Sequence, residues 1–176
     1  MYDSKKPFIS SDIDLPEITL KVIILSFSLT LLLAMSNAYL ALKIGILASA
    51  SIPAAIISMG LLRFVKNSNI LENNLVQTAA SAGEAVAGGI VYTAPALIII
   101  HYWHHFAYWE NFCIALLGGT LGVLFSIPLR RILVTQKELS FPEGQAIAQV
   151  LITGTQKNFG LKEVALGGII GATIEF

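Results

Sequence analysis

Two acidic residues occur where the chain is otherwise apolar or built of small residues, and both could exchange a proton. Glu84 lies in a run of alanine and glycine, and Glu143 follows a proline at the start of a polar segment. A carboxylate at membrane depth is costly and typically marks an ion or proton path. The alternatives are structural: Glu84 hydrogen-bonds neighbouring helices or lies at the membrane interface, and Glu143 is an acidic residue favoured by a helix start.

Polar side chains that could hydrogen-bond amides or carboxylates form a second group of candidates. They interrupt apolar runs or lie in polar segments between them, and they are Asn37, Tyr39, Asn73, Asn74, Gln77, Gln145 and Gln149. We predict that they line a substrate path. For Asn37 the alternative is a structural hydrogen bond between helices, which an asparagine in a membrane span requires.

Membrane helices are the elements that must position these residues. Of the 176 residues, 55% are hydrophobic and 12% are charged, against about 25% charged in soluble domains. Several uncharged runs approach the roughly 20 residues that span a bilayer. The composition therefore predicts an all-α integral membrane protein, a polytopic helical bundle. We expect a tail at 1–17 and a transmembrane domain at 18–176, with spans at about 20–42, 44–62, 84–100 and 112–129 and the start of a fifth at 164.

Two segments are too polar or too short to be plain lipid-facing spans. They cover residues 70–84 and 141–155, and they contain Gly83, Pro142 and Gly144. Irregular backbone survives at membrane depth only against protein or a water-filled cavity. We predict that both segments are re-entrant or discontinuous helices, as in repeat-built transporters whose substrate sites lie at broken helices.

The distribution of Lys and Arg predicts the topology. Lys21 precedes the first span, Arg63 follows the second, and Arg130 and Arg131 follow the fourth. Cytoplasmic connections carry an excess of such residues. We therefore place the N-terminus in the cytoplasm and the loop at 101–110 outside. The expected location is the plasma membrane, as a multi-pass protein of a bacterial inner membrane.

Several classes of protein and site are disfavoured by the sequence. The chain has no net charge, whereas a nucleic-acid partner requires a basic surface. The single cysteine, Cys113, cannot form a disulfide within the chain. His101, His104 and His105 share a short loop without a carboxylate metal motif, so we predict no metal site. The sequence contains no motif that supports a membrane enzyme. The remaining alternative class is a channel or a structural subunit without coupling.

Four ordered motifs carry a family resemblance. They are Asn37–Gly45, Ser51–Ala55, the Glu-Asn-Asn segment with Gln-Thr at Glu72–Thr78, and the Phe-Pro-Glu-Gly segment within Leu139–Ala146. Together they resemble the oligopeptide transporter family, in the branch of prokaryotic members and yellow-stripe-like carriers. Glu143 departs from the plant carriers, which have serine after the proline, so their substrate choice does not transfer.

The resemblance implies an activity and a larger protein. It implies proton-coupled uptake of small oligopeptides by alternating access, driven by the proton gradient and without a cofactor. The alternative substrates are peptide-like metal chelates of the siderophore or nicotianamine type. It also implies many more helices, so we expect this chain to be the N-terminal portion of a full-length transporter that lies in the lipid bilayer. The apolar run at 164–174 is too short to span and agrees with this expectation.

Overall fold

The computed structural model describes residues 8–10, 13–65, 68–134 and 141–154. These residues form five helices and no strand, which confirms the all-helical prediction. The helices are α1 (Leu20–Ile44), α2 (Ser51–Leu62), α3 (Ile70–Ile99), α4 (Tyr108–Leu133) and α5 (Pro142–Gly154). The predicted start of a fifth span at 164 lies outside the described residues.

Three of the helices are long and apolar enough to cross a membrane. They are α1, α3 and α4, with 25, 30 and 26 residues. At 1.5 Å per residue they extend about 37 to 45 Å, more than a hydrocarbon core of about 30 Å. Helices α1 and α4 contain the spans predicted at 20–42 and 112–129, and α3 covers the span predicted at 84–100 up to Ile99.

The polar segment at 70–84 is not broken, so the prediction of a discontinuous helix there was wrong. It is the first half of α3, which continues without interruption to Ile99. A reciprocal capping box starts this helix: Asn69 Oδ1 accepts from the Glu72 N–H, and the Glu72 side chain accepts from the Asn69 N–H. The glycines permit close packing rather than a break, because a Cβ on Gly83 would meet the Thr30 methyl group of α1.

The span predicted at 44–62 is a helix only over its second part, and this is where a discontinuity occurs. Helix α1 ends at Gly45, whose φ of 80° is the left-handed conformation that favours glycine. Residues 46–50 are not helical, and α2 follows with 12 residues, about 18 Å. Pro53 lies in its first turn, where no backbone N–H bond is lost. A helix of this length cannot span, so we call residues 46–62 the broken crossing.

The broken crossing runs antiparallel to α3. Immediately before its first residue, near the far end of α3, the Tyr92 hydroxyl donates to the Gly45 carbonyl over 3.3 Å. Its last polar contact is near the α3 start, where Ser58 Oγ donates to Asn73 Oδ1 over 3.3 Å. The non-helical residues 46–50 therefore extend along the part of α3 that the short α2 does not reach.

Helix α5 is a second half-length helix, with 13 residues. Its start lies beside Ser49, which hydrogen-bonds Glu143. Its end lies against α2, where Met59 occupies the space that a side chain on Gly154 would need. Helices α2 and α5 therefore run side by side in the same direction, and both begin near the middle of α3.

A small core joins α1, the broken crossing and α3. It consists of buried Val22, Leu29, Ala54, Leu62, Val76 and Ala80. Helix α4 contributes little, because Asn111 is its one buried residue within the described part of the chain. The apolar surface of α4 is therefore left for lipid or for further protein.

Candidate functional site

The start of α2 lies against the middle of α3, where Glu84 is located. Ala50, the residue before α2, donates its backbone N–H to Glu84 Oε2 over 2.8 Å. Glu84 is 14 residues from the start of α3, which places it about 21 Å along the helix. The side chain is half-buried. A carboxylate from one helix thus satisfies a backbone N–H that the broken crossing leaves without a helical partner.

A second carboxylate reaches the same place from α5. The hydroxyl of Ser49 donates to Glu143 Oε1 over 2.6 Å. Ser49 and Ala50 are adjacent, so the two carboxylates accept from consecutive residues of the broken crossing. The two acidic residues selected from the sequence are therefore brought together by the fold.

The two carboxylates open onto one cavity of about 430 Å³, which we call the carboxylate cavity. At the wall of this cavity, a hydrogen bond of 2.9 Å between the hydroxyl groups of Ser51 and Ser81 joins α2 to α3. Its polar lining consists of Ser49, Ser51, Ser81, Glu84, Tyr92, Thr93 and Glu143. The volume lies in the range of small-ligand pockets, about 300 to 1,000 Å³.

Both carboxylates accept hydrogen bonds at the start of α2. The start of a helix carries a partial positive charge, which favours an ionised carboxylate. Hydrogen bonds to an ionised acceptor are about twice as strong as neutral ones. Protonation of Glu84 or Glu143 therefore weakens the bond that holds that residue to the broken crossing. Within the described residues no group of three His, Cys, Asp or Glu side chains could hold a metal ion.

Comparison with known proteins decides the family. The family model described as OPT oligopeptide transporter protein matches residues 17–174. The chain belongs to the oligopeptide transporter family. A Haemophilus influenzae protein named "Putative oligopeptide transporter" is 44% identical over 140 residues, covering 78% of this chain and 22% of the relative. The chain thus spans about a fifth of the relative that it matches. No solved structure matches the chain.

Two candidate residues of the first span lie outside the carboxylate cavity. Asn37 is buried, and its Nδ2 donates to the Ala48 carbonyl over 3.0 Å. It thereby holds the non-helical part of the broken crossing against α1. Tyr39 is exposed, and the Lys43 ammonium group lies 5.3 Å from its ring centre. A role for either in a substrate path stays a prediction.

The polar residues of the first half of α3 divide between packing and a second cavity. Asn73 is buried and hydrogen-bonds Ser58 of α2 and the Asn69 carbonyl. Asn74 and Gln77 line a separate cavity between α3 and α5. The side chains of Gln145 and Gln149 are exposed on α5 and line neither cavity.

Sequence reasoning missed the serines that complete the site. Ser49, Ser51 and Ser81 stand in apolar or small-residue stretches, where a single hydroxyl group does not by itself indicate a site, and Ser51 is noted only as the first residue of a family motif. The available signal was Pro53 three residues after Ala50, because a proline early in a helix often marks where the helix starts.

A buried ion pair at the start of α3 was also missed. Glu72 is fully buried, and its Oε2 lies 2.9 Å from the Lys21 ammonium group. Its other oxygen accepts from the Thr19 hydroxyl over 2.8 Å. This pair joins the starts of α1 and α3 and has a structural role, about 18 Å along α3 from Glu84.

Proposed function

We propose that the full-length protein is a secondary active transporter that takes up small oligopeptides together with protons by alternating access. The family supports the transport of peptides. The observation that supports the coupling is that two carboxylates accept hydrogen bonds from consecutive residues of the broken crossing. Glu84 accepts from Ala50, and Glu143 accepts from Ser49. The energy source is the proton gradient, with no cofactor and no enzymatic step.

The coupling follows from what these hydrogen bonds join. Glu84 belongs to α3, Glu143 to α5, and both hold the start of α2. A proton can shift a conformational equilibrium only if it binds one conformation more tightly. When both carboxylates are ionised, the three helices are held together by charge-assisted bonds. When a proton neutralises one of them, α2 or α5 is freer to move, and the cavity changes its accessibility.

The proposed orientation places the basic end of the bundle in the cytoplasm of a bacterial inner membrane. Lys21, Arg63, Arg130 and Arg131 mark that end, and the loop at 101–107 lies at the other. The carboxylate cavity then lies near mid-membrane, since Glu84 is at the centre of α3. This is the depth at which broken helices form substrate and ion sites in transporters.

The test is gradient-driven uptake by the full-length protein in proteoliposomes. A labelled small-peptide library is presented with and without an inward proton gradient to the wild type, Glu84→Gln, Glu143→Gln and Glu110→Gln. In Glu84→Gln the amide oxygen of the new side chain can still accept from Ala50, so the fold is retained while proton exchange is lost. Glu110 is exposed in the first turn of α4 and serves as the matched control.

We expect the wild type and Glu110→Gln to accumulate peptide only with the gradient, and Glu84→Gln to lose accumulation while exchanging peptide across the membrane. If the wild type and all variants take up peptide equally with and without the proton gradient, the protein is a channel. Coupled uptake that survives both Glu84→Gln and Glu143→Gln would exclude these residues as the coupling site. An absence of peptide uptake in every condition would contradict the proposed substrate class. Uptake of metal chelates would then be measured in the same vesicles.

A further inference from the structure

A second cavity, of about 450 Å³, lies between α3 and α5, and we call it the α3–α5 cavity. Phe8 and Ile9 of the N-terminal tail form part of its wall. Its remaining walls are Ile70, Leu71, Asn74 and Gln77 of α3 and Gly144, Ile147, Ala148, Leu151 and Ile152 of α5. Among the described residues the lining is therefore aliphatic except for Phe8 and two side-chain amides, and none of these lining residues is charged.

Gln77 is the observation that indicates a ligand. The residue is only 6% exposed, and its amide group lies at this cavity. Its oxygen accepts a long bond of 3.5 Å from Thr78, while its nitrogen donates no hydrogen bond within the described part of the chain. This nitrogen is not fully buried, so it reaches the space of the cavity. There it can donate to a ligand that carries an acceptor oxygen.

The chemistry of the lining defines that ligand. The apolar walls favour an apolar side chain, and the amides of Gln77 and Asn74 match a peptide group, which offers one acceptor and one donor. The described lining residues offer no ion-pair partner to a charged side chain, so they disfavour such a side chain, which would be desolvated there. We infer that the α3–α5 cavity binds an apolar side chain of a short peptide together with one of its backbone amide groups.

The inference rests on the proposed function for its choice of a peptide as the ligand, and it adds a preference for apolar residues. The two cavities share α5 as a wall. Glu143 lines the carboxylate cavity, and its neighbour Gly144 lines the α3–α5 cavity. A ligand between α3 and α5 therefore contacts the helix that carries one of the proposed coupling residues.

The experiment measures equilibrium binding to the purified full-length protein, without a gradient. The probes are labelled trileucine, trialanine and trileucine with N-methylated backbone amides. The variants are Gln77→Met, which keeps the size of the side chain but removes its hydrogen bonds, and Ala148→Phe, which fills the cavity. Ala146→Phe is the matched control, because Ala146 is an exposed alanine of the same helix that does not line the cavity.

We expect the wild type to bind trileucine at least about tenfold more tightly than trialanine or the N-methylated probe, as one lost hydrogen bond and lost apolar burial imply. Gln77→Met and Ala148→Phe should each weaken trileucine binding about tenfold or more, while Ala146→Phe binds as the wild type does. Equal binding of all three probes to the wild type would overturn the inference without any variant having to fold.

Uptake in proteoliposomes separates this inference from the proposed function. Trileucine that binds with the expected pattern but is not accumulated would retain the binding site and contradict coupled transport. Coupled uptake of peptides with no effect of Gln77→Met or Ala148→Phe on trileucine binding would retain the transporter and overturn the site. If trileucine does not bind the folded wild type, the site is overturned as well.

Discussion

Ser49 and Glu143 are joined by a 2.6 Å hydrogen bond between the broken crossing and α5, two elements that are far apart in the chain. Ser49 lies just before α2, and Glu143 lies in the first turn of α5. The bond therefore ties together the starts of α2 and α5 at the depth of Glu84. A contact of this kind responds to the charge of Glu143, because its strength depends on an ionised acceptor.

If this bond contributes to coupled uptake, removing either partner has the same effect. We expect Ser49→Ala and Glu143→Leu, which leaves the Ser49 hydroxyl without an acceptor, each to lower gradient-driven uptake about three- to tenfold in full-length protein, and the double variant to be no worse than the more severe single one. Uptake rates in proteoliposomes provide the measurement. Ser126→Ala is the control, because that hydroxyl lies exposed on α4 and bonds only the Val123 carbonyl. Additive effects of the two substitutions would show that the residues act separately.

The approach of α1 to α3 depends on a glycine. A Cβ at Gly83 would meet the methyl group of Thr30, whereas nothing lies within 4 Å of a Cβ at Gly89 in the same helix. We expect Gly83→Ala to destabilise the protein by about 1 to 3 kcal/mol through overpacking. Gly89→Ala should be neutral or stabilise it by up to about 1 kcal/mol, since alanine favours helix.

Thermal unfolding of the full-length protein in detergent measures both substitutions. Thr30→Ser removes the methyl group in question, so it should restore much of the stability of Gly83→Ala. If Gly83→Ala and Gly89→Ala change the thermal stability equally, the close packing of α1 against Gly83 of α3 is contradicted.

The ion pair of Lys21 and Glu72 should be sensitive to the loss of one partner. Lys21→Met leaves a fully buried carboxylate without its cation, which costs about 3 kcal/mol or more. The double variant Lys21→Met with Glu72→Gln should recover part of that loss, because a neutral amide removes the buried charge and keeps one oxygen as an acceptor for either Thr19 or Asn69. Thermal unfolding is again the measurement. A double variant less stable than Lys21→Met alone would contradict this account.

Asn37 should act as a residue that positions the broken crossing. Asn37→Ala removes the donor to the Ala48 carbonyl, and the loss of one hydrogen bond costs about 0.5 to 1.5 kcal/mol. We expect faster hydrogen exchange at residues 46–50 of the full-length protein, measured by mass spectrometry. Tyr39→Phe, a change on an exposed side chain of the same helix, should leave that exchange unchanged. Equal exchange in Asn37→Ala and the wild type would remove the positioning role.

Much of the fold could be predicted because hydrophobicity alone selects membrane helices. The apolar runs at about 22–42, 85–100 and 112–129 coincide with parts of α1, α3 and α4. The break at 46–50 could not be found in this way, because these residues are mostly apolar whether the backbone is helical or not. The uninterrupted first half of α3 was missed for the opposite reason: its polar residues pack against α1, the broken crossing and α5, so they indicate neighbouring protein rather than a break.

The same division applies to the two cavities. The sequence by itself determined that Glu84 and Glu143 are costly at membrane depth and hence candidates for proton exchange. Only the tertiary structure decided that Glu143 accepts a hydrogen bond from Ser49 and Glu84 accepts one from Ala50. It also decided that Gln77 lines a different cavity. The physical reason is that the composition of a segment sets its free energy of transfer into the membrane, whereas the partners of a polar group depend on which helices pack together.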